Sequence, residues 1–192
     1  MRLQSSLTSV KQLTTTERRL MYDLMQECYE NTRWSKFEED LDAKDSVILV
    51  QDPDDDRLVG FSTQVLLETK VDSRQVNALF SGDTVVQPAY WGDPALAHEW
   101  GQLALGLIDQ NPSRDLYWFL TSKGFRTYRY LPLFFRTYYP NTSEETPQKV
   151  TNVIDALGHM VGGNRYDQAG HIIRATHDKD FVRKTYSDPG NR

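Results

Sequence analysis

Asp83 is the residue of this chain best placed for proton chemistry. It interrupts an apolar β-type run, Phe80-Ser81-Gly82-Asp83-Thr84-Val85. A carboxylate partly desolvated in such a run is pushed up in pKa, toward the range of a useful base. A second feature is cationic. Residues 116–143 contain no Asp or Glu but hold Lys123, Arg126, Arg129 and Arg136. Lys123, Arg126 and Arg129 recur at every third position, so on a helix they form one basic ridge, suited to phosphates or to an acidic protein. A solvated helix face has the same spacing. Other reactive side chains offer less. Cys28, the lone cysteine, stands among Met25 and Tyr29 in a helical pattern and reads as a small core residue rather than a nucleophile. His98, His159, His171 and His177 are scattered, with no triad partner. The acidic run Asp52-Pro53-Asp54-Asp55-Asp56 lacks the spaced oxygen ligands of a calcium loop and reads as a solvated turn. No Cys/His spacing of a metal site occurs.

These groups need elements to hold them. Thr14-Thr15-Thr16-Glu17 has the spacing of a capping box. Leu20, Met21, Leu24, Met25, Cys28 and Tyr29 then form one apolar stripe, which predicts a helix over residues 15–31. A short acidic helix follows at 35–44, carrying Phe37 and Leu41. Val47-Ile48-Leu49-Val50 predicts a strand buried on both faces. Two more strands are expected at 58–67 and 76–86, with Gly60 marking a bulge. Short polar turns between these three predict an antiparallel meander. Leu96, Trp100, Leu103 and Leu107 set a helix at 94–110, ended by Asn111-Pro112. A fourth strand is expected at 116–120, and a helix starting near Ser122 that Pro132 interrupts or restarts. Another helix is expected at 146–160, closed by Gly162-Gly163. His171 to Arg174 reads as a last strand, and the tail after Asp178 as flexible.

The 192 residues suit one domain with at most a small appendage, taken here as 1–145 for the main body and 146–192 for an extension completing or flanking it. Lys and Arg number 22 against 27 Asp and Glu, a net charge of −5, so nucleic acid is not the expected partner. Met1 to Ser9 lacks the apolar core of a signal peptide, and no stretch approaches the length of a membrane span. A soluble, cytoplasmic protein is expected.

The element order resembles that of the GCN5-related N-acetyltransferases (GNAT), in which helices precede an antiparallel meander and a strand–helix–strand unit follows. Val85-Val86-Gln87-Pro88-Ala89-Tyr90-Trp91-Gly92 resembles the end of the fourth GNAT strand and its loop, where members read V-x-P-x-Y-R-G. Leu133-Phe134-Phe135-Arg136-Thr137-Tyr138-Tyr139-Pro140 resembles the fourth-helix motif L-Y-x-x-x-G-F. The resemblance spans roughly residues 10–140. It implies an α/β (α+β) fold: a mixed, mostly antiparallel central sheet flanked by helices, with a splay between the fourth and fifth GNAT strands. It implies an N-acyltransferase whose donor pantetheine lies in that splay. Val85, Val86, Trp91, Gly92, Asp93, Pro94, Ala95 and Leu96 then border the donor, with Lys123, Arg126 and Arg129 beside it.

The same resemblance assigns chemistry. Family members often carry a carboxylate base on the strand of Asp83. Their usual acid is a fourth-helix tyrosine, and the aligned position is Phe135; Tyr128, Tyr130 and Tyr138 are the nearby substitutes, with Ser122 as a relay. The loop departs from the family pattern Arg/Gln-x-x-Gly-x-Gly/Ala. Trp91, Pro94 and Leu96 stand at those positions, only Gly92 survives, and Asp93 would repel a phosphate. The donor expected is acyl-CoA or acetyl-CoA, or an acyl carrier protein whose pantetheine needs the strand groove but not the phosphate loop. The acceptor expected is an amine of a small molecule or peptide. No metal, nucleic acid or membrane is expected, and a homodimer is left open. The alternative is a GNAT-shaped binding module without turnover. Tyr117, Trp118, Phe119 and Phe125 add to an aromatic region that lines a pocket for a longer acyl chain, or serves as ordinary core.

Overall fold

Five strands form the central sheet of the computed structural model, which describes residues 3–122, 125–176 and 180–187. In chain order the elements are β1 (Gln4–Ser9), α1 (Thr15–Cys28), β2 (Tyr29–Glu30), α2 (Trp34–Asp42), β3 (Ser46–Asp52), β4 (Arg57–Val71), β5 (Arg74–Val86), α3 (Ala95–Gln110) and β6 (Asp115–Leu120). Then come α4 (Phe125–Tyr128), α5 (Tyr130–Phe134), α6 (Gln148–Gly162), β7 (Tyr166–Asp167), β8 (Ile172–Ile173), β9 (Phe181–Val182) and α7 (Lys184–Ser187). The sheet order is β1-β3-β4-β5-β6; all neighbours are antiparallel except β5 and β6, which are parallel. This is the mixed, mostly antiparallel sheet that the resemblance implied, with β5 and β6 as its fourth and fifth GNAT strands.

The helix starts follow the sequence. The Thr14 hydroxyl accepts from the Glu17 amide at 3.2 Å, and the Glu17 carboxylate accepts from the Thr14 amide at 2.7 Å. Such a box stabilises a helix start by about 1 kcal/mol. Alternation along β3 sends Val47 and Leu49 to one face of the sheet, against α1 and α2, and Ile48 and Val50 to the other, against Ala95 and Trp100 of α3. The β-branched run is thus buried on both faces, as expected. On the α1 side, Val153 and Leu157 of α6 pack on Val71, Val76 and Ala78 and cover the far end of β4 and β5.

Two irregularities shape the sheet. The β3–β4 register shifts between Val50 and Gln51, opposite Gly60, the residue expected at a bulge. The β4–β5 register passes from Ser62↔Thr84 to Gln64↔Ser81, so Gly82 and Asp83 together oppose Thr63. A bulge of this kind bends a strand and re-aims its side chains.

Four sequence expectations are corrected. β1 had no counterpart, because its sequence, Gln4 to Ser9, is polar and it is a strand only through pairing with β3. The helix expected after Ser122 is short: α4 ends at Tyr128 and α5 at Phe134, with Arg129 between them. Lys123 and the Arg126 side chain lie outside the described residues. The motif from Leu133 to Pro140 leaves the helix after Phe134. Lastly, the tail expected to be flexible contains a strand among its described residues, β9, which pairs with β2. No helix among the described residues is long and apolar enough to cross a membrane.

Candidate functional site

The parallel ladder of β5 and β6 runs from Val76↔Asp115 to Ser81↔Leu120, and β6 then ends. β5 continues through its bulge to Val86 with β4 as its partner on one side. Pairing between the two strands therefore ends at Ser81, the fork of the sheet, where β6 stops and β5 goes on. Past the fork, the edge of β5 that had faced β6 has no described strand beside it, the backbone geometry that can hydrogen-bond an extended amide-containing chain.

The vertex of the fork is polar and tightly bonded. Trp100 and Trp118 both donate their indole N–H to the Ser81 Oγ, at 3.2 and 3.0 Å. Ser81 donates to Gln64 Oε1 at 2.8 Å, and the Gln64 amide donates to Ser62 Oγ at 2.7 Å. Ser62 and Thr84 share a further 2.7 Å hydrogen bond. Trp100, Trp118 and Phe135 pack in sequence with tilted rings, their centroids 4.8 and 5.2 Å apart. Phe135, the position aligned with the family's tyrosine, is thus part of the aromatic wall at the fork.

Asp83 faces the other side of the sheet. It lines a cavity of about 290 Å³ with Arg33, Lys36 and Asp40 of the α2 region, and with Arg165 and Asp180. The bulge explains this placement. Counted from Phe80, alternation would send Asp83 toward α3; two residues opposite Thr63 shift the phase and turn it toward α1 and α2. Tyr29 lies beside it: burial first, then the Asp83 and Asp180 carboxylates, push the Tyr29 hydroxyl far up from its ordinary range. Lys36 is held by Glu39 at 2.9 Å and Asp40 at 3.1 Å, pairings that raise its pKa. Behind Asp83, a Cβ on Gly82 would come within 2.5 Å of Thr63 Oγ1, so only glycine fits there.

The loop after β5 is built differently from an open phosphate cradle. Trp91 donates its indole N–H to the Val86 carbonyl at 2.8 Å, closing the loop on the end of β5. Gly92 has φ +96 and open space around it. Asp93 stands one residue before Pro94, the N-cap of α3: its Oδ1 accepts from the Ala95 amide at 2.8 Å and its Oδ2 from the Leu3 amide at 3.3 Å. Pro94 precedes the helix, its carbonyl accepting from the His98 amide. The side chains of Val85 and Ala95 are buried in the core, and Leu96 packs against it, so these three can offer a ligand mainly backbone.

The remaining candidates divide. Ser122 is exposed just past β6, near the fork. Tyr128 and Tyr138 pack edge to face at 6.4 Å, and Tyr138 is pushed up in pKa by burial and by Tyr128. Neither lines the Asp83 cavity, and Arg129 is exposed away from it. Asp83 is thus separated from the tyrosines considered for the acid role. The charged cavity wall went unread in the sequence. Arg33, Lys36 and Asp40 could have been found as one polar face at helical spacing, but Arg165 and Asp180 carry no local signal.

No family model and no curated protein matches the sequence. Solved structures do. A tetramutant of the BH1408 protein from Bacillus halodurans aligns with TM-score 0.52 and 13% identity, covering 74% of this chain and 99% of that one. The ribosomal-protein-alanine N-acetyltransferase of Brucella melitensis biovar Abortus 2308 aligns with TM-score 0.52 and 11% identity, over 76% of this chain and 99% of that one. A conserved protein of unknown function from Enterococcus faecalis V583 aligns with TM-score 0.48 and 14% identity over 66% of this chain, and this chain spans 31% of that one.

Proposed function

We propose, from the premise that this chain has the GNAT fold, that it is an N-acyltransferase taking an acyl group from a pantetheine thioester to an amine. One observation carries the proposal. The β5–β6 ladder stops at Ser81↔Leu120, and on the strand that continues a bulge turns a carboxylate into a cavity. The donor arm enters at the fork and the amine enters from the Asp83 side, so the two reactants meet at the bulge.

The chemistry follows from the parts. Asp83 accepts a proton from the ammonium form of the acceptor, which frees its lone pair for attack on the thioester carbon. The C–N bond forms as the carbonyl becomes a tetrahedral oxyanion, the charge that hydrogen-bond donors in the site must stabilise. The C–S bond then breaks, and the proton that the attacking nitrogen gives up as the amide forms passes through Ser122 or water, as a relay, to the leaving thiolate. Holding both reactants in one geometry supplies much of the rate.

The donor has two forms, and Asp93 favours one of them. Its carboxylate already takes the Ala95 amide at the start of α3, where a pyrophosphate would sit, and it repels phosphate. That favours a carrier-protein donor over free acyl-CoA. The test is release of free thiol from acetyl-CoA, longer acyl-CoAs and acylated carrier protein with a panel of amines. Turnover should fall about a hundredfold or more in Asp83→Asn while donor-induced thermal stabilisation persists. Donor binding without thiol release in any mixture would instead establish a binding module, and equal turnover in the variant would remove Asp83 from the mechanism.

A further inference from the structure

α4 and α5 present to solvent side chains of a kind that usually lie inside. Tyr128 and Tyr130 are 40% and 44% exposed, and Leu133 and Phe134 are 68% and 62% exposed. Single exposed apolar residues are ordinary, but four within seven consecutive positions make a patch. Tyr130 and Phe134, four positions apart on α5, stack with centroids 5.7 Å apart, so their rings form one surface. Arg129 and Arg136 flank the patch in sequence, and both are exposed. Residues 116–143 contain no Asp or Glu, so nothing in the segment itself neutralises them. The chain carries −5 overall, which makes this stretch a positive exception on an acidic molecule. The patch is also tied to the fork. Phe135, next after α5, packs on Trp118 at 5.2 Å, and Trp118 bonds to Ser81 at the vertex.

We propose that α4, α5 and the chain through Arg136 are the docking surface for an acidic carrier protein that brings the acyl group on its pantetheine arm. This rests on the acyltransferase reading, which puts the arm at the fork, and deepens it by giving the bearer of the arm its own site. Protein interfaces centre on aromatic and aliphatic anchors with arginine among them, and the patch has that composition. Arginine takes a carboxylate in two parallel hydrogen bonds, so an acidic surface is its complement. Free CoA would engage the arginines but leave Leu133 and Phe134 in water. An anionic membrane would attract the arginines but repel the rest of a chain with five excess negative charges. α5, of five residues, is also little more than one turn, a small face to embed among lipids. A small patch suits a partner that must leave after each transfer.

The test uses the full chain and a panel of acyl and peptidyl carrier proteins, each without its arm, with binding read by titration calorimetry. At least one armless carrier should bind, and its Kd should rise several-fold from low to high salt. Arg136→Glu and Leu133→Ser should each weaken that binding about tenfold or more. Both variants should bind acyl-pantetheine as the parent does, because the strand groove is intact. A carrier with one acidic surface residue changed to lysine should recover part of the loss in Arg136→Glu. Melting temperatures establish that each variant is folded. Carrier binding that both variants leave unchanged, no binding by any carrier, or binding to phosphatidylserine vesicles in place of carriers would overturn the inference. The acyltransferase reading fails separately, by absence of thiol release from acyl-pantetheine and acyl-CoA with every amine, a result that leaves the armless-carrier measurement standing.

Discussion

Ser81→Ala should be unusually costly for the loss of one oxygen. The Ser81 hydroxyl accepts from two indoles and donates to Gln64, so its removal breaks three hydrogen bonds. Each neutral bond contributes about 1 kcal/mol net. Gln64 is 1% exposed, so its Oε1 loses its donor where water cannot replace it, an added cost of about 1 kcal/mol. The indoles lie on the partly exposed side and recover some bonding to water. The expected destabilisation is about 3 kcal/mol, which for a chain of this size lowers the melting temperature by about 6–12 °C. Urea unfolding should give the same figure with an unchanged slope. A cycle with Gln64→Leu tests the cause, because both changes remove the same bond: the double variant should be less destabilised than the sum by about 1 kcal/mol or more. A Ser81→Ala variant within about 0.5 kcal/mol of the parent, or strictly additive costs, would refute the idea that this network holds the vertex of the fork.

Other perturbations test other parts. Gly82→Ala drives a Cβ to within 2.5 Å of Thr63 Oγ1 and should lower the melting temperature, with Thr63→Ala in the same chain restoring part of the loss. Gly158→Ala collides with the Tyr166 ring, which would break the 2.7 Å bond from Tyr166 to Asp155; tyrosine fluorescence and thermal unfolding should both report it. Asp52 is held below the usual carboxylate range, chiefly by the Tyr90 hydroxyl at 2.7 Å. Its stabilisation is therefore present above the unfolded pKa, about 3.9, and lost as pH falls through the lower folded value. Tyr90→Phe should move the acid unfolding midpoint upward, and a midpoint that stays in place would rule this contribution out. Cys28 is buried, and burial, then Glu27, push its thiol up; it should react with a thiol reagent only as fast as the protein opens.

Legibility in the sequence followed how local each determinant was. The Val47–Val50 run and the α3 stripe are patterns over a few residues, and both elements stand close to where periodicity put them. β1 was invisible because its only large apolar residue, Leu7, is exposed and its pairing partner is distant in sequence. Basic residues three apart fit a long helix but do not make one; Pro132, which has no N–H to give the Tyr128 carbonyl, divides the region after β6 into the short helices α4 and α5. Asp83 could be found as a residue but not aimed. Alternation from Phe80 and alternation from Val85 give it opposite faces, and only the extra residue opposite Thr63 reconciles them. The cavity that it enters gathers residues from several distant segments, which no single-chain pattern can announce.

The choice of donor can be decided by one atom exchange. Asp93 takes the Ala95 amide at the start of α3 and, on the proposed donor geometry, would set a negative charge beside a pyrophosphate. Asn has one acceptor oxygen, so Asp93→Asn keeps the bond from the Ala95 amide and gives up the charge together with the 3.3 Å bond from the Leu3 amide. Two like charges about 4 Å apart in a solvent-exposed site repel by about 1 kcal/mol, which is a change in affinity of about fivefold. CoA should therefore bind the variant several-fold more tightly. Pantetheine, which occupies the same strand groove without phosphates, should bind the two proteins alike. The difference should narrow at high salt, since the site is open to solvent. If CoA and pantetheine shift together, the loop is acting through fold rather than charge. If neither shifts, the phosphates do not approach α3 at all, and the argument from Asp93 for a carrier-protein donor loses its physical basis.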